Sequence, residues 1–130
     1  MTPDELKRRT KQFALRVLRL CDSLPRTTSG RTIANQLARS ATSVGANYRA
    51  ACRARSNADF VSKIGLTLEE ADESVYWMEL IVESGMQSEK KMKDLIDEAG
   101  ELVAIFVASA NTARKSGRPR PIRPNLQSAI

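Results

Sequence analysis

The side chains best able to do chemistry in this sequence are two cysteines and one run of carboxylates. Cys21 and Cys52 could act as nucleophiles if a neighbouring base accepted the thiol proton, but the sequence contains no histidine. The four carboxylates between Glu69 and Glu73 could hold Mg²⁺, although acids at this spacing are equally usual on a solvated or arginine-paired helix face. We therefore expect a non-enzymatic protein with no metal site and no cofactor.

Size and composition are those of one ordinary globular domain. The chain has 130 residues, of which 42% are hydrophobic and 28% charged, so it can form a buried core without disulfide bonds or a structural metal. Its longest apolar run, 102–108, is far shorter than the roughly 20 residues of a membrane span. Residues 4–11 lack the apolar core of a signal peptide, and two isolated cysteines are typical of a reducing compartment. We expect a cytoplasmic protein that does not enter a membrane.

Apolar residues recur every three or four positions in four segments, which is typical of amphipathic helices. Thr2 and Pro3 are typical of a helix start, and Gly85 and Gly117 of helix ends. The predicted helices span about 3–24, 31–55, 57–84 and 89–115. Because no segment has a strand pattern, the sequence predicts an all-α, antiparallel up-down-up-down four-helix bundle over 1–115. A basic, proline-rich tail follows at 116–130, and we expect it to be flexible.

Charge is divided into blocks along the chain. Residues 1–55 carry 12 basic and 3 acidic side chains, residues 56–113 carry 4 and 12, and residues 114–130 carry 5 and none. Such blocks indicate either opposite faces that meet in an assembly or a basic surface that binds a polyanion. Because no stacking aromatics accompany the basic residues, we expect contacts to phosphates rather than bases. The predicted nucleic-acid contacts are Lys7, Arg8, Arg9, Lys11, Arg16, Arg19, Arg114, Lys115, Arg118, Arg120 and Arg123.

The third helix is apolar on two sides. Its predicted core face is Val61, Ile64, Leu68, Ala71, Val75, Met78 and Val82. Trp77 falls on the opposite side, where either long side chains of the same chain or a second subunit could cover it. The back of the second helix offers a complementary strip of small residues and arginines, with Gly45 at its margin. We therefore predict a heterologous contact between copies that closes into a ring. Its predicted residues are Arg39, Ala46, Arg49, Arg53, Leu66, Glu70, Glu73, Trp77 and Leu80.

Several stretches resemble the four-helix-bundle proteins encoded in 23S ribosomal RNA intervening sequences. The resemblance begins at Phe13–Val17, is most specific at Ser43–Asn47, and continues at Asp59–Lys63 and Glu69–Trp77. It implies a ring-shaped homopentamer without enzymatic activity. A related branch comprises accessory proteins of diversity-generating retroelements, which are pentameric, basic, and associate with a reverse transcriptase and nucleic acid. Many members have an acid shortly after the position of Asn47, where this chain is basic instead.

Two classes of function stay open at this point. The favoured one is a bacterial, ring-forming protein that binds RNA or RNA/DNA through basic surfaces without sequence specificity. The alternative is a protein-interaction scaffold or accessory subunit, for example of a retroelement reverse transcriptase, with 116–130 as a docking segment. An enzyme is the least favoured class, because the thiols and carboxylates lack partners for catalysis.

Overall fold

The computed structural model describes residues 1–117, which form four α-helices. They are α1 (Pro3–Ser23), α2 (Thr28–Cys52), α3 (Asn57–Glu83) and α4 (Glu89–Ser116). No strand occurs within 1–117, so the predicted all-α four-helix bundle is confirmed. The helices of this part of the chain all fall short of the length and apolarity that crossing a membrane requires. The predictions for Arg118, Arg120 and Arg123 lie outside the described residues.

Capping side chains fix where the helices begin. The Thr2 hydroxyl accepts from the Glu5 amide, and the Glu5 carboxylate accepts from the Thr2 amide, each at 3.1 Å. The second helix begins three residues before the predicted position, because the Thr27 hydroxyl accepts from the Gly30 amide. It also ends three residues early. The backbone of Ser56 is extended, because Ser56 is the N-cap of α3. Only a short link therefore separates it from Cys52, the last residue of α2.

Each helix packs along the next one in the chain, and α1 also contacts α4. All four helices contribute apolar side chains to one buried core. The largest fully buried apolar side chains are Phe13, Val17, Leu37, Val44, Ile64, Met78, Ile81, Met92, Leu102 and Phe106. The core therefore spans the basic first half of the bundle (residues 1–55) and the acidic second half (residues 56–113).

The core face of α3 is rotated from the predicted one. Val61, Leu68, Val75 and Val82 are only half-buried, whereas Thr67, Ser74 and Ile81 are buried. The buried face of α3 thus includes two hydroxyl side chains, those of Thr67 and Ser74. The Ser40 and Ser74 hydroxyls lie 2.9 Å apart across the two helices. Each also lies within donating distance of a carbonyl oxygen of its own helix, that of Leu37 for Ser40 and that of Glu70 for Ser74.

Candidate nucleic-acid interface

The basic side chains of α1 lie on three sides of the helix. At about 100° per residue, Lys7 and Lys11 lie on the side towards α2, while Arg8 and Arg19 lie away from the core. Arg8, Lys11 and Arg19 are exposed, and Lys7 is half-buried. None of these four forms a salt bridge with any residue in 1–117. Their positive charge is therefore available to an anion.

Arg9 differs from the other basic residues of α1. Its Nε and Nη2 atoms each donate to Glu98 of α4 at 2.7 Å, and Nη2 also lies 3.4 Å from Glu101. This bidentate bond holds the pKa of Arg9 well above its usual value. Because Glu98 neutralises the guanidinium inside the chain, Arg9 offers less positive charge to an anion than the other basic residues of α1, and its contact with nucleic acid stays a prediction. Arg16, also predicted, is half-buried and forms no salt bridge within residues 1–117.

An open groove of about 260 Å³ runs between α1 and α2. The α1 side of the groove is formed by Lys7, Thr10, Lys11 and Ala14. The α2 side is formed by Thr42, Gly45, Ala46 and Arg49. Three of these eight side chains are cations, none is an acid, and the rest are small. The groove therefore has a cationic rim and a narrow, mostly apolar floor.

Gly45 brings the two helices together beneath the groove. A Cβ atom at this position would lie 3.3 Å from the Thr10 hydroxyl oxygen, which is closer than most such contacts. Thr10 is fully buried, and its hydroxyl donates to the Lys7 carbonyl at 3.0 Å. The sequence predicted that Gly45 serves close packing against another subunit. In the structure the close neighbour of Gly45 is Thr10 of the same chain, and contact with another subunit stays a prediction.

The groove unites residues that the sequence predicted for two different roles. Lys7 and Lys11 were predicted to bind nucleic acid, whereas Ala46 and Arg49 were predicted to contact another copy. Thr42 was predicted, with Ala46, among the small residues of the second helix that permit close approach of another helix. Sequence reasoning did not include Thr10 or Ala14 in either set. The signal for these residues is Gly45, because a glycine inside a helix often marks the closest approach of a neighbouring helix. Packing α1 against α2 at this position would have predicted them.

Arg39 joins α2 to α3 within one chain. It donates to Glu70 at 3.0 Å and also to Glu73, which in turn accepts from the Trp77 indole nitrogen at 3.0 Å. Hydrogen bonding to Glu73 raises the pKa of Arg39. The charge complementarity between α2 and α3 that suggested a contact between copies is therefore satisfied inside the chain. With Glu70 and Glu73 bound to Arg39, this run of carboxylates is an arginine-paired face.

The outer face of α3 remains partly apolar. Leu66 is 49% exposed and Tyr76 is 53% exposed, while Trp77 and Leu80 are half-buried and pack against the core. The Tyr76 and Trp77 rings meet edge to face, with centroids 5.1 Å apart. Side chains of the same chain thus cover part of Trp77. The contact of this face with another copy stays a prediction.

The remaining predicted residues are spread over other surfaces. Arg53 lines a wide depression with Arg55 and Lys63, and it is exposed. Arg114 and Lys115 lie exposed in the last turn of α4, where a positive charge interacts favourably with the helix dipole. These side chains add positive charge at the surface, but none of them lines the groove.

Neither thiol has the environment of a nucleophile. Cys21 and Cys52 are both free and half-buried. Burial, with a smaller effect from Asp22, raises the pKa of the Cys21 thiol to about 11, so it is protonated at neutral pH. Within residues 1–117 no group of three or more histidine, cysteine, aspartate or glutamate side chains is arranged to hold a metal ion.

These features define a four-helix bundle with a basic face on α1 and α2. The sequence model for the 23S rRNA-intervening sequence protein family matches residues 5–108, and the chain belongs to this family. A crystal structure of a protein with unknown function from the S23 ribosomal protein family of Bacteroides thetaiotaomicron is similar, with a TM-score of 0.75 and 30% sequence identity. The similarity covers 80% of this chain and 96% of that chain. No curated protein matches this chain.

Proposed function

We propose that this protein binds nucleic acid, either RNA or an RNA/DNA hybrid, through the basic surface of α1 and α2. One observation carries the proposal. Of the 12 basic side chains in residues 1–55, only Arg9 and Arg39 form salt bridges with residues in 1–117. Cations without acidic partners bind phosphates favourably, because binding releases the counterions that surround a nucleic acid. The proposed role is binding and not catalysis.

The aromatic side chains support binding without sequence specificity. Phe13 of α1 and Tyr48 of α2 are buried, and the Tyr48 ring packs against Phe106 with centroids 5.9 Å apart. The exposed aromatic ring, Tyr76, lies on α3 and away from the groove. Since bases are held mainly by stacking on exposed aromatic rings, the basic surface is suited to phosphates instead.

We further propose that the helices alternate in direction and that copies assemble into a ring, which the family resemblance implies is a pentamer. Thr10, near the start of α1, lies against Gly45 in the second half of α2. Asn57 at the start of α3 donates to the Ala113 carbonyl near the end of α4 at 2.7 Å. Both contacts support antiparallel neighbours. The exposed apolar side chains of α3 support an interface, and a ring would repeat the basic surface.

The mass of the assembly tests the ring. Light scattering at micromolar concentration is expected to give several chains for the wild type. Tyr76→Glu places a charge on the exposed apolar face and is expected to shift the protein towards the monomer. A wild type that stays monomeric at this concentration would exclude the ring but leave nucleic-acid binding open.

Fluorescence anisotropy with labelled single-stranded RNA and an RNA/DNA hybrid tests the binding itself. Affinity is expected to fall steeply between 50 and 200 mM salt. Each phosphate contact contributes roughly 0.7 to 0.9 to the slope of log affinity against log salt concentration, which is about 0.4 to 0.5 logarithmic units over this fourfold range. Arg8→Ala/Arg19→Ala is expected to weaken binding. The matched control Lys90→Ala/Lys91→Ala removes the same charge from α4 of the acidic half and is expected to bind like the wild type. Absence of binding at low salt would refute the proposal.

A second candidate function is a protein-interaction scaffold or an accessory subunit, for example of a retroelement reverse transcriptase. The exposed Leu66 and Tyr76 side chains favour it, because they lie on the acidic half and away from the basic surface. A pull-down with a purified reverse transcriptase, using the full chain and a chain without 116–130, tests this role. Binding that survives Arg8→Ala/Arg19→Ala but is lost with Tyr76→Glu would favour the scaffold.

A further inference from the structure

We propose that the groove between α1 and α2 holds one sugar–phosphate segment of a bound nucleic acid. This inference rests on the proposed function and places the binding site in this groove. Lys7 and Lys11 on one side and Arg49 on the other supply positive charge from both walls. Arginine binds phosphate oxygens in a bidentate manner, and lysine binds them as a point charge.

The size of the groove favours a segment of a long ligand. Pockets that enclose a whole small molecule have volumes of roughly 300 to 1,000 Å³. The groove is smaller, at about 260 Å³, and is open to solvent. Its open shape is suited to one part of a chain whose remainder lies along the surface.

The floor of the groove fits the sugar of such a segment. Ala14 and Ala46 present only methyl groups, so the apolar side of a sugar ring can lie against them while its phosphates reach the rim. The close contact of Gly45 with the buried Thr10 fixes the distance between the two helices. A floor held in this way is preorganised, which lowers the entropy cost of binding.

A helix of another copy is the competing occupant, because small residues permit close helix packing. Such a helix would need free acids to face three cations. The acids predicted to supply them, Glu70 and Glu73, are already bound to Arg39 in the same chain. Exposed acids of α3 such as Glu69, Asp72 and Glu79 form no salt bridge within residues 1–117, so a second copy is an outcome that the test below must separate. The proposal commits to a polyanion because three cations and no acid line the groove.

The floor residue Ala46 allows a direct test, because it is exposed and its replacement disturbs no core contact. Ala46→Leu fills the groove without a change in charge, and Ala46→Glu adds an acid between the cations. Ala104→Leu and Ala104→Glu are matched controls at an exposed position of α4. The probe is a labelled 12-nucleotide single-stranded RNA of mixed sequence, with affinity measured by anisotropy across a salt series. Circular dichroism checks that each variant is folded.

We expect both Ala46 variants to weaken RNA binding by about tenfold or more, which equals the loss of about 1.4 kcal/mol, and the Ala104→Leu variant to bind like the wild type. Ala104→Glu is expected to weaken binding less than Ala46→Glu. Lys11→Ala is expected to lower the salt slope by about 0.7.

Equal losses of RNA affinity at Ala46 and Ala104 would overturn the groove as the binding site while the proposed function stands. A wild type that binds no RNA would overturn both. A change of assembly mass with Ala46→Leu at unchanged RNA affinity would instead identify a contact between copies.

Discussion

The two halves of the bundle share one core but differ in surface charge. Residues 1–55 carry 12 basic and 3 acidic side chains, whereas residues 56–113 carry 4 and 12. Only two basic residues of the first half reach acids of the second, Arg9 with Glu98 and Arg39 with Glu70 and Glu73. The acidic half therefore neutralises little of the basic half. Most basic side chains of residues 1–55 form no salt bridge within residues 1–117 that would stabilise the fold, which favours a polyanion as their partner.

The halves also differ in how their glycines are packed. A Cβ at Gly30 would lie on the Pro25 carbonyl oxygen, and one at Gly45 would press on Thr10. Nothing lies within 4 Å of the corresponding positions at Gly65 and Gly100. The first half thus depends on glycine to bring α1 and α2 together. The interiors of α3 and α4 do not, although a Cβ at Gly117, at the end of α4, would press on the Asn57 side chain. Close packing of α1 and α2 keeps the groove shallow and its walls fixed.

Replacing matched glycines should give the largest contrast between the halves. Gly30→Ala is expected to lower the free energy of unfolding by about 2 kcal/mol, because the Pro25 backbone cannot move aside easily. Gly100→Ala is expected to raise it by about 1 kcal/mol, since alanine favours the helix and meets no neighbour. Urea unfolding followed by circular dichroism measures both changes. If the two variants had equal effects, the proposed difference in packing between the halves would be wrong.

The link between α1 and α4 should contribute a smaller amount. Arg9 is 26% exposed and Glu98 is 15% exposed, so the pair is partly shielded from water. Arg9→Met keeps the packing of the side chain but leaves Glu98 without its partner. The free energy of unfolding is expected to fall by about 1 kcal/mol.

Lys93→Met is the matched control for Arg9→Met, because it breaks an exposed pair with Asp97 inside α4. This pair links no helices, and we expect no measurable change in stability. If Arg9→Met also left stability unchanged, the salt bridge to Glu98 would have no structural role. Arg9 would then be as available to a nucleic acid as the other basic residues of α1.

The sequence alone predicts much of the fold, because helix periodicity and caps are local signals. Thr2, Ser56 and Gly85 occupy the cap positions expected from their types. The start of α2 was missed because Thr27, Thr28 and Ser29 can all cap a helix by the same chemistry. Only the contact of Gly30 with Pro25 selects Thr27, and that contact depends on the turn.

The candidate site is less predictable, because it depends on which helices become neighbours. The sequence indicates that residues 1–55 are basic, but it does not show which cations are neutralised. Arg9 and Glu98 are 89 residues apart, and no local pattern connects them. The burial of Ser74 was missed for a similar reason, since its hydroxyl counts as polar until its partner on α2, Ser40, is known. The buried Thr67 hydroxyl donates to the Lys63 carbonyl of its own helix.

The pKa of Cys21 tests how far the positive charge of the basic half extends inward. Surrounding cations would lower a thiol pKa, yet burial and Asp22 raise it from 9.0 to about 11. Above pH 9 the thiol of the unfolded chain loses its proton while the folded chain keeps it. Cys21 therefore contributes fully to stability below pH 9, and its contribution is lost as the pH rises to about 11.

Cys21→Ala removes this titration and should show the smallest effect of the series. The variant is expected to be less stable than the wild type at pH 8, because a half-buried side chain is shortened, and the difference should shrink towards pH 11. Urea unfolding of both proteins at the same series of pH values measures the difference. A difference that stays constant from pH 8 to 11 would mean that the cations of α1 and α2 offset burial at Cys21. The positive charge of the basic half would then reach its interior as well as its surface.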